Sequence, residues 1–460
     1  MHFTESERSF ARMPEAKAKE TSGLRVACWT LGCKVNGYES QAMLEQFLPY
    51  HVQIVSRDEP ADIYLVNTCT VTQTAAKKSR QMIRRMKALH PEALIVACGC
   101  YVDQDLQGEE SLSDIADLCL TNQQKTQAAA IVMKHLYPCE NTHGQAGEME
   151  EITALDQLRI ASSGEKTRAF LKIQDGCRQY CSYCIIPYVR GPLSSKKLQD
   201  VVSEALDLAE GGCREIVLTG IHLSSYGKDL DDHPSLSGVI KAIADIKTVD
   251  RIRLGSLEVG LMTEAFINEI SDIPKLCPHF QLSLQSGCDR TLKAMNRRYS
   301  TEAYRNAVER LRTAIPGAAV TTDVIAGYPG ETEEDHRASI AFVRDMRFSA
   351  VHVFPYSARA GTPAAKRTDQ VDPMVKSRRT AEMLLLAGEL SGDFHRKQLH
   401  QVKDVLVEQY DAENGVSKGY TADYCHVHIR GDLETNRIYP IYMNELVQSG
   451  HEPFLMGVLQ

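Results

Sequence analysis

Ala169–Cys184 reads AFLKIQDGCRQYCSYC. Ala169–Ile173 is a short, mostly apolar run of the kind that forms a strand. A polar loop follows, and Cys177, Cys181 and Cys184 stand in it with the spacing CxxxCxxC. Three thiolates on one loop can hold three irons of a 4Fe–4S cube, because soft sulfur ligands suit such clusters. No fourth cysteine lies nearby, so one iron would stay open to a small molecule. A structural zinc site wants four protein ligands, and core packing sits badly with a polar loop that contains Gly176.

Outward from this stretch, further strands are predicted at Glu215–Leu218, Arg251–Gly255, Phe280–Leu284, Val320–Ile325 and Ala350–Phe354, with helical stretches between them. Six consecutive β/α units point to a partial or complete barrel rather than an open doubly wound sheet, a choice that periodicity alone does not decide. Several strands end in small or glycine-rich segments: Leu218-Thr219-Gly220, Leu282–Gly287 (LSLQSG) and Asp323–Glu331 (DVIAGYPGE). One such glycine is an ordinary turn, but their joint placement at strand C-termini marks the face where barrels carry their sites.

Toward the N-terminus, Leu24–Trp29, Asp62–Asn67, Leu94–Cys98 and Asp117–Leu120 read as strands, and Thr74–His90 as a helix ended by Pro91. This alternation predicts a small open α/β unit. Cys33, Cys69 and Cys100 each follow the end of a predicted strand, beside Gly, Asn or Thr. Sites in open α/β sheets form outside the carboxyl ends of the strands, so three distant cysteines would converge at one edge. Cys28 and Cys119 fall inside strands and read as core. Cys98 competes with Cys100 on strand parity, and Gly99, a turn signal, favours Cys100.

The whole chain has 460 residues, which predicts two or three domains. The polar, mixed-charge N-terminus lacks the apolar core of a signal peptide and reads as a disordered tail over residues 1–23. No apolar run is long enough to span a bilayer. The expected location is therefore cytoplasmic, where 14 cysteines in motif spacing point to metal or catalysis rather than disulfides. Boundaries are predicted at 24–138 for the first domain, 139–163 for a polar linker, 164–395 for the barrel and 396–460 for a small β module. In that module VKDVLVEQY, GYTADYCHVHI and FLMGVLQ read as strands.

CxxxCxxC after the first strand of a β/α barrel resembles the radical S-adenosylmethionine (SAM) superfamily. The resemblance implies that the open iron chelates SAM, and that an electron from the cluster splits the sulfonium to give a 5′-deoxyadenosyl radical. Tyr183, Thr219, Gly220, Ser283, Gln285 and Gly327 become the candidate SAM contacts; Tyr183 reads equally well as a packing aromatic. Cys33, Cys69 and Cys100 together resemble the auxiliary-cluster domain of methylthiotransferases, which implies a second 4Fe–4S cluster that carries or supplies sulfur. The expected fold is then α/β: a small open N-terminal domain, a central partial (β/α)6 radical-SAM barrel, and a C-terminal β domain similar to TRAM. Within that family Thr30–Ser40, TLGCKVNGYES, looks like the branch acting on threonylcarbamoyladenosine of tRNA, although Gly37 departs from the Gln usual there. Sister branches act on isopentenyladenosine of tRNA or on a ribosomal-protein aspartate.

The resemblance thus implies tRNA, at its anticodon loop, as partner, SAM as both methyl donor and radical source, and an electron donor such as a flavodoxin or ferredoxin. A net charge of −8 requires any RNA site to be a local patch. KKSRQMIRRMK (77–87) contains no acidic residue, and Lys77, Arg80, Arg84 and Lys87 share one helical face able to follow phosphates. Such a run is also commonly a solvated face. Arg298, Arg297 and Ser194–Lys197 are candidates to extend the patch, and Arg190 and Arg298 to meet a substrate carboxylate. His400–Gln460 carries four Lys/Arg against nine Asp/Glu, which counts against a strong RNA grip there. A non-catalytic iron–sulfur carrier would also need clustered cysteines, but not the barrel-mouth segments.

Overall fold

The computed structural model describes residues 23–105, 112–138, 158–161, 167–448 and 453–460. Nearly all of the expected tail and most of the expected linker lie outside the described residues. The chain divides into two compact units, Met1–Ile160 and Ala161–Gln460.

The first unit runs β1 (Arg25–Thr30), α1 (Lys34–Glu45), β2 (Gln53–Ile54), β3 (Ile63–Thr68), α2 (Gln73–Leu89), β4 (Leu94–Gly99), α3 (Cys100–Asp105), β5 (Leu118–Leu120) and α4 (Ala128–Leu136). Its strands are all parallel, in the order β2-β1-β3-β4-β5. Alternate residues point to opposite faces. Val26, Ile63, Leu65 and Val96 fill one apolar layer, and Ala27, Tyr64, Val66 and Ile95 the other. Burial on both faces explains why these strands read as continuous apolar runs. Helix α2 starts where the Thr72 hydroxyl caps the N–H of Ala75.

The second unit begins with β6 (Arg168–Asp175), α5 (Ile186–Val189), β7 (Ser194–Ser195), α6 (Leu198–Glu210), β8 (Glu215–Gly220), α7 (Leu236–Ala244) and β9 (Arg251–Leu254). It continues with α8 (Glu264–Ile270), β10 (His279–Gln281), α9 (Asp289–Ala294), α10 (Thr301–Ala314), β11 (Ala319–Ala326), α11 (Glu333–Met346), β12 (Ala350–Pro355) and α12 (Pro373–Arg396). Strands β6-β8-β9 and β10-β11-β12 form two parallel arcs, bridged at Leu257 and Leu282. Among the described residues no pairing returns β12 to β6, so the barrel is partial. β7 pairs antiparallel with β6 at the edge of the first arc.

A closed five-stranded barrel completes the unit: β13 (Val402–Asp411), β14 (Val416–Thr421), β15 (His426–Arg430), β16 (Arg437–Val447) and β17 (Phe454–Leu459). The stretch that reads as one strand, GYTADYCHVHI, is two strands and a turn. β16 does not stand out in the sequence because Pro440 interrupts RIYPIYMNELV, and proline argues against a central strand. Pro440 is tolerated because it lies just beyond the last pair with β17, Ile441 opposite Leu459.

This small barrel docks on the N-terminal ends of the central strands. Arg168, Glu215 and Arg251 open β6, β8 and β9. Arg253 pairs with Glu215 at 2.7 Å, donates to the Ala422 carbonyl at 2.9 Å and lies 4.5 Å from the Tyr424 ring centre. Arg168 pairs with Glu408 at 2.5 Å, and Arg251 donates to the carbonyls of Tyr420 and Asp404. Buried charge is costly unless paired, and the module supplies the partners.

Candidate functional site

At the opposite, C-terminal end of the strands sits the loop of Cys177, Cys181 and Cys184. Its entry is a forced turn. Gly176 has φ +66°, and a Cβ there would lie 1.7 Å from the Pro192 carbonyl oxygen. Gln174, fully buried, ties the turn down: its amide donates to the Gly176 carbonyl at 2.8 Å and accepts from the His222 N–H at 2.6 Å. A Cβ on Gly220 would meet that Gln174 side chain, so the Thr219-Gly220 strand end is shaped to let Gln174 in. The far end of the loop hangs on Ser182. Its N–H donates to the Met295 carbonyl and its hydroxyl lies 2.7 Å from that of Tyr328.

Burial pushes the Cys177 thiol up and the Cys184 thiol up to about 12. A bare thiol there stays protonated, and metal ligation is what favours the thiolate. Among the described residues no three His, Cys, Asp or Glu side chains gather closely enough to hold one metal ion. A cube differs, since each of its thiolates binds a separate iron. The soft donor set, the loop with no fourth cysteine and the glycine-shaped entry fit a cube with one open iron.

Arg297 extends this site, contrary to the expectation that it serves an RNA patch. Its side chain is 7% exposed. Nη1 donates to Cys181 Sγ at 3.2 Å, Nε to the Tyr299 hydroxyl at 3.0 Å, and Nη2 pairs with Glu258. Glu258 also meets His222 Nε2 at 3.3 Å. Burial works against the Arg297 charge, but Tyr299, Tyr183, Glu258 and Cys181 around it outweigh that and hold the guanidinium charged.

The expected SAM contacts do not all face one another. Ser283 donates its hydroxyl to Asp323 at 3.2 Å, and Gln281 donates to the same carboxylate. Gln285, at φ +68°, links β10 to β11 through backbone bonds with Asp323 and Ile325. A Cβ on Gly327 would strike the Lys376 side chain of α12, so that glycine serves a close approach to the helix. Tyr183 packs beside Met295, Tyr328, Tyr356 and Ala364. Arg190, offered for a substrate carboxylate, has a side chain 0% exposed and is paired with Asp175 at 3.1 Å.

In the first unit, the registers Thr30↔Asn67 and Thr68↔Gly99 put Cys33, Cys69 and Cys100 just past the ends of three adjacent strands. Cys69 packs against Gly32, where a Cβ would lie 2.7 Å from its Sγ. Its N–H is held by Ser79 of α2 at 3.1 Å. The motif side chains knot the loops together. Asn36 donates to the carbonyls of Leu31 and Thr68, and Asn67 donates to the Asn36 carbonyl and to Ser40. Asn122 donates toward Cys100 Sγ at 3.8 Å. Strand alternation stops at Gly99, φ +97°. Cys98 lies in the apolar core, its thiol pushed up by burial, while Cys100 opens α3.

Of the basic helix, Lys77, Lys78, Arg84 and Arg85 are exposed. Arg80 donates to the Tyr101 hydroxyl at 2.7 Å, and Lys87 pairs with Asp117 at 2.6 Å. Lys196 is buried against Glu204, whereas Arg298 is exposed. Among the described residues no helix is long and apolar enough to cross a membrane.

Residues 25–121 match the family described as Uncharacterized protein family UPF0004, and residues 171–343 match the radical SAM superfamily. The threonylcarbamoyladenosine tRNA methylthiotransferase MtaB of Bacillus subtilis (strain 168) is 36% identical over 409 residues, covering 88% of this chain and 90% of its own. The enzyme of the same name from Chlamydia pneumoniae is 31% identical, covering 95% and 99%. The tRNA-2-methylthio-N(6)-dimethylallyladenosine synthase of Alkaliphilus oremlandii (strain OhILAs) is 33% identical, covering 82% and 81%. Among solved structures, the radical S-adenosylmethionine methyltransferase TsrM from Kitasatospora setae shares the fold, with a TM-score of 0.54 at 15% identity over 75% of each chain. With such relatives over most of its length, and with cysteine triads at strand ends in both units, the chain belongs to the radical-SAM methylthiotransferase family.

Proposed function

We propose that the protein adds a methylthio group to N6-threonylcarbamoyladenosine of tRNA, just 3′ of the anticodon, with SAM as methyl donor and radical source. The observation that carries the reading is the second triad, Cys33, Cys69 and Cys100, gathered past three adjacent strand ends. SAM chemistry at Cys177, Cys181 and Cys184 alone would not call for it. The N-x-Y-E-S side chains that brace this triad belong to the segment that looks like the threonylcarbamoyl branch, and relatives named for that substrate support the choice.

In this reading residues 24–138 hold an auxiliary cube, 164–395 bind the radical-forming cube and SAM, and 396–460 close the barrel floor. The chemistry that a cube bound at the barrel loop supplies is the electron for reductive cleavage of SAM. The chain's own part is to position and to exclude water. Gln174 and Ser182 fix the loop, and Thr219, Gly220, Ser283, Gln285, Gly327 and Tyr183 shape the mouth. In the first unit Lys77 and Arg84 face RNA, while Arg80 and Lys87 are held by Tyr101 and Asp117; in the second unit Arg298 faces RNA. The electron comes from a flavodoxin or ferredoxin, and the reaction runs in the cytoplasm. Reconstituted protein given SAM, a low-potential reductant and tRNA bearing threonylcarbamoyladenosine should yield the methylthio nucleoside; none would refute the reading.

A further inference from the structure

A buried guanidinium ordinarily spends its N–H groups on carboxylates and carbonyls. Arg297 instead aims Nη1 at Cys181 Sγ, 3.2 Å away. Its Nε and Nη2 are engaged by Tyr299 and Glu258. The Tyr299 hydroxyl accepts from Nε, and its ring centre lies 4.9 Å from the guanidinium carbon. Glu258 fixes Nη2, and is itself held by His222 and by an N–H bond to the Ser224 hydroxyl at 2.8 Å. The Tyr299 hydroxyl reaches the carbonyls of Ser283 and Leu284, each at 2.8 Å. Partners from three strand-end loops thus lock one cation against one thiol, and the cation is remote from the cysteine motif in sequence.

We infer that Arg297 is a positioning residue that raises the reduction potential of the cube held by Cys177, Cys181 and Cys184, with Glu258 as its counterweight. The inference rests on the reading of those cysteines as cluster ligands. Reduction takes one electron from an external low-potential carrier and breaks no bond, so the site gains one negative charge. A cation held away from water beside a ligand sulfur stabilises the reduced form more than the oxidised form. The N–H bond to sulfur draws electron density from the thiolate and acts in the same direction. The Glu258 carboxylate acts in the opposite direction.

The test is a redox titration of the reconstituted full-length protein without SAM, followed by the electron paramagnetic resonance signal of the reduced cube. The signal missing from the Cys177→Ala/Cys181→Ala/Cys184→Ala variant belongs to the barrel. Arg297→Gln should move its midpoint to more negative potential, and Glu258→Gln to more positive potential. General loosening of the loop would not split the two variants by sign. Unmoved midpoints, or two shifts of the same sign, overturn the inference while leaving the cysteine-dependent signal in place. If Arg297→Gln fails to hold iron, Glu258→Gln decides alone, and a midpoint that does not rise in it overturns the inference. If the triple cysteine variant removes no signal, the cluster reading itself fails, and the role of Arg297 with it.

Discussion

The ammonium of Lys125 lies 2.5 Å from the carboxylate of Glu39, with the two side chains 0% and 1% exposed. Glu39 sits in the N-x-Y-E-S segment on α1, whose first turn follows Cys33. Breaking a buried pair leaves an uncompensated charge and costs about 3–5 kcal/mol, a large share of a typical domain's stability. Lys125→Met should therefore lower the thermal midpoint sharply, and Lys125→Met with Glu39→Leu should recover most of the loss. Equal midpoints for the wild type and the single variant would show that the pair contributes nothing.

The adjacent cysteines of β4 and α3 should behave differently. Cys98 is packed among Val26, Leu65 and Val96, whereas Cys100 stands past the strand end. Wild-type protein should hold about eight irons in two cubes and Cys100→Ala about four. Cys98→Ala should keep about eight, at a cost on the order of 1 kcal/mol for the small cavity. Iron analysis and thermal melts read both; the reverse pattern would exchange their roles.

The basic helix divides in the same way. Lys77→Glu with Arg84→Glu should weaken tRNA binding and flatten its salt dependence, by roughly 0.7–0.9 in slope for each phosphate left unneutralised. Lys87 is paired with Asp117 at the surface. Lys87→Ala should cost no more than about 1 kcal/mol and leave that slope in place. Filter binding across a salt series separates the two, and an unchanged slope in the double variant would leave the exposed lysines and arginines as mere solvated surface.

At the barrel floor, Glu215→Ala strips Arg253 of its buried carboxylate partner. A loss of about 3–5 kcal/mol is expected in denaturant unfolding. Protease cleavage near α12 should rise as the small barrel loses its seat. A variant as stable and as resistant as wild type would rule out the floor as a structural joint.

What was legible in the sequence was local. The CxxxCxxC loop needs no tertiary knowledge, because one short segment carries all three thiols. Cys33, Cys69 and Cys100 could be grouped because each closes an apolar run, and a parallel sheet gathers strand ends at one edge. The partners of these cysteines were not legible. His222, Glu258 and Arg297 come from separate loops, and nothing local distinguishes Arg297, which faces sulfur, from Arg298, which faces solvent. Arg80 and Lys87 fit the helical stripe by spacing, yet Tyr101 and Asp117, from later elements, take them. Pro440 hid β16, and charged Arg168, Arg251 and Arg253 gave no sign that a second barrel would cover them.

The central claim is the nucleoside made, and mass spectrometry of digested tRNA from cells with and without the gene tests it most directly. A site built to hydrogen-bond a carboxylate and amides should reject an apolar branched tail, because its buried polar groups would go unpaired. The expected result is loss of the methylthio form of threonylcarbamoyladenosine in the deletion strain. The unmethylthiolated precursor should accumulate in its place, the isopentenyl series should stay unchanged, and the Cys100→Ala gene should fail to restore the product. Persistence of the methylthio-threonylcarbamoyl nucleoside, with loss confined to the isopentenyl series, would contradict the account.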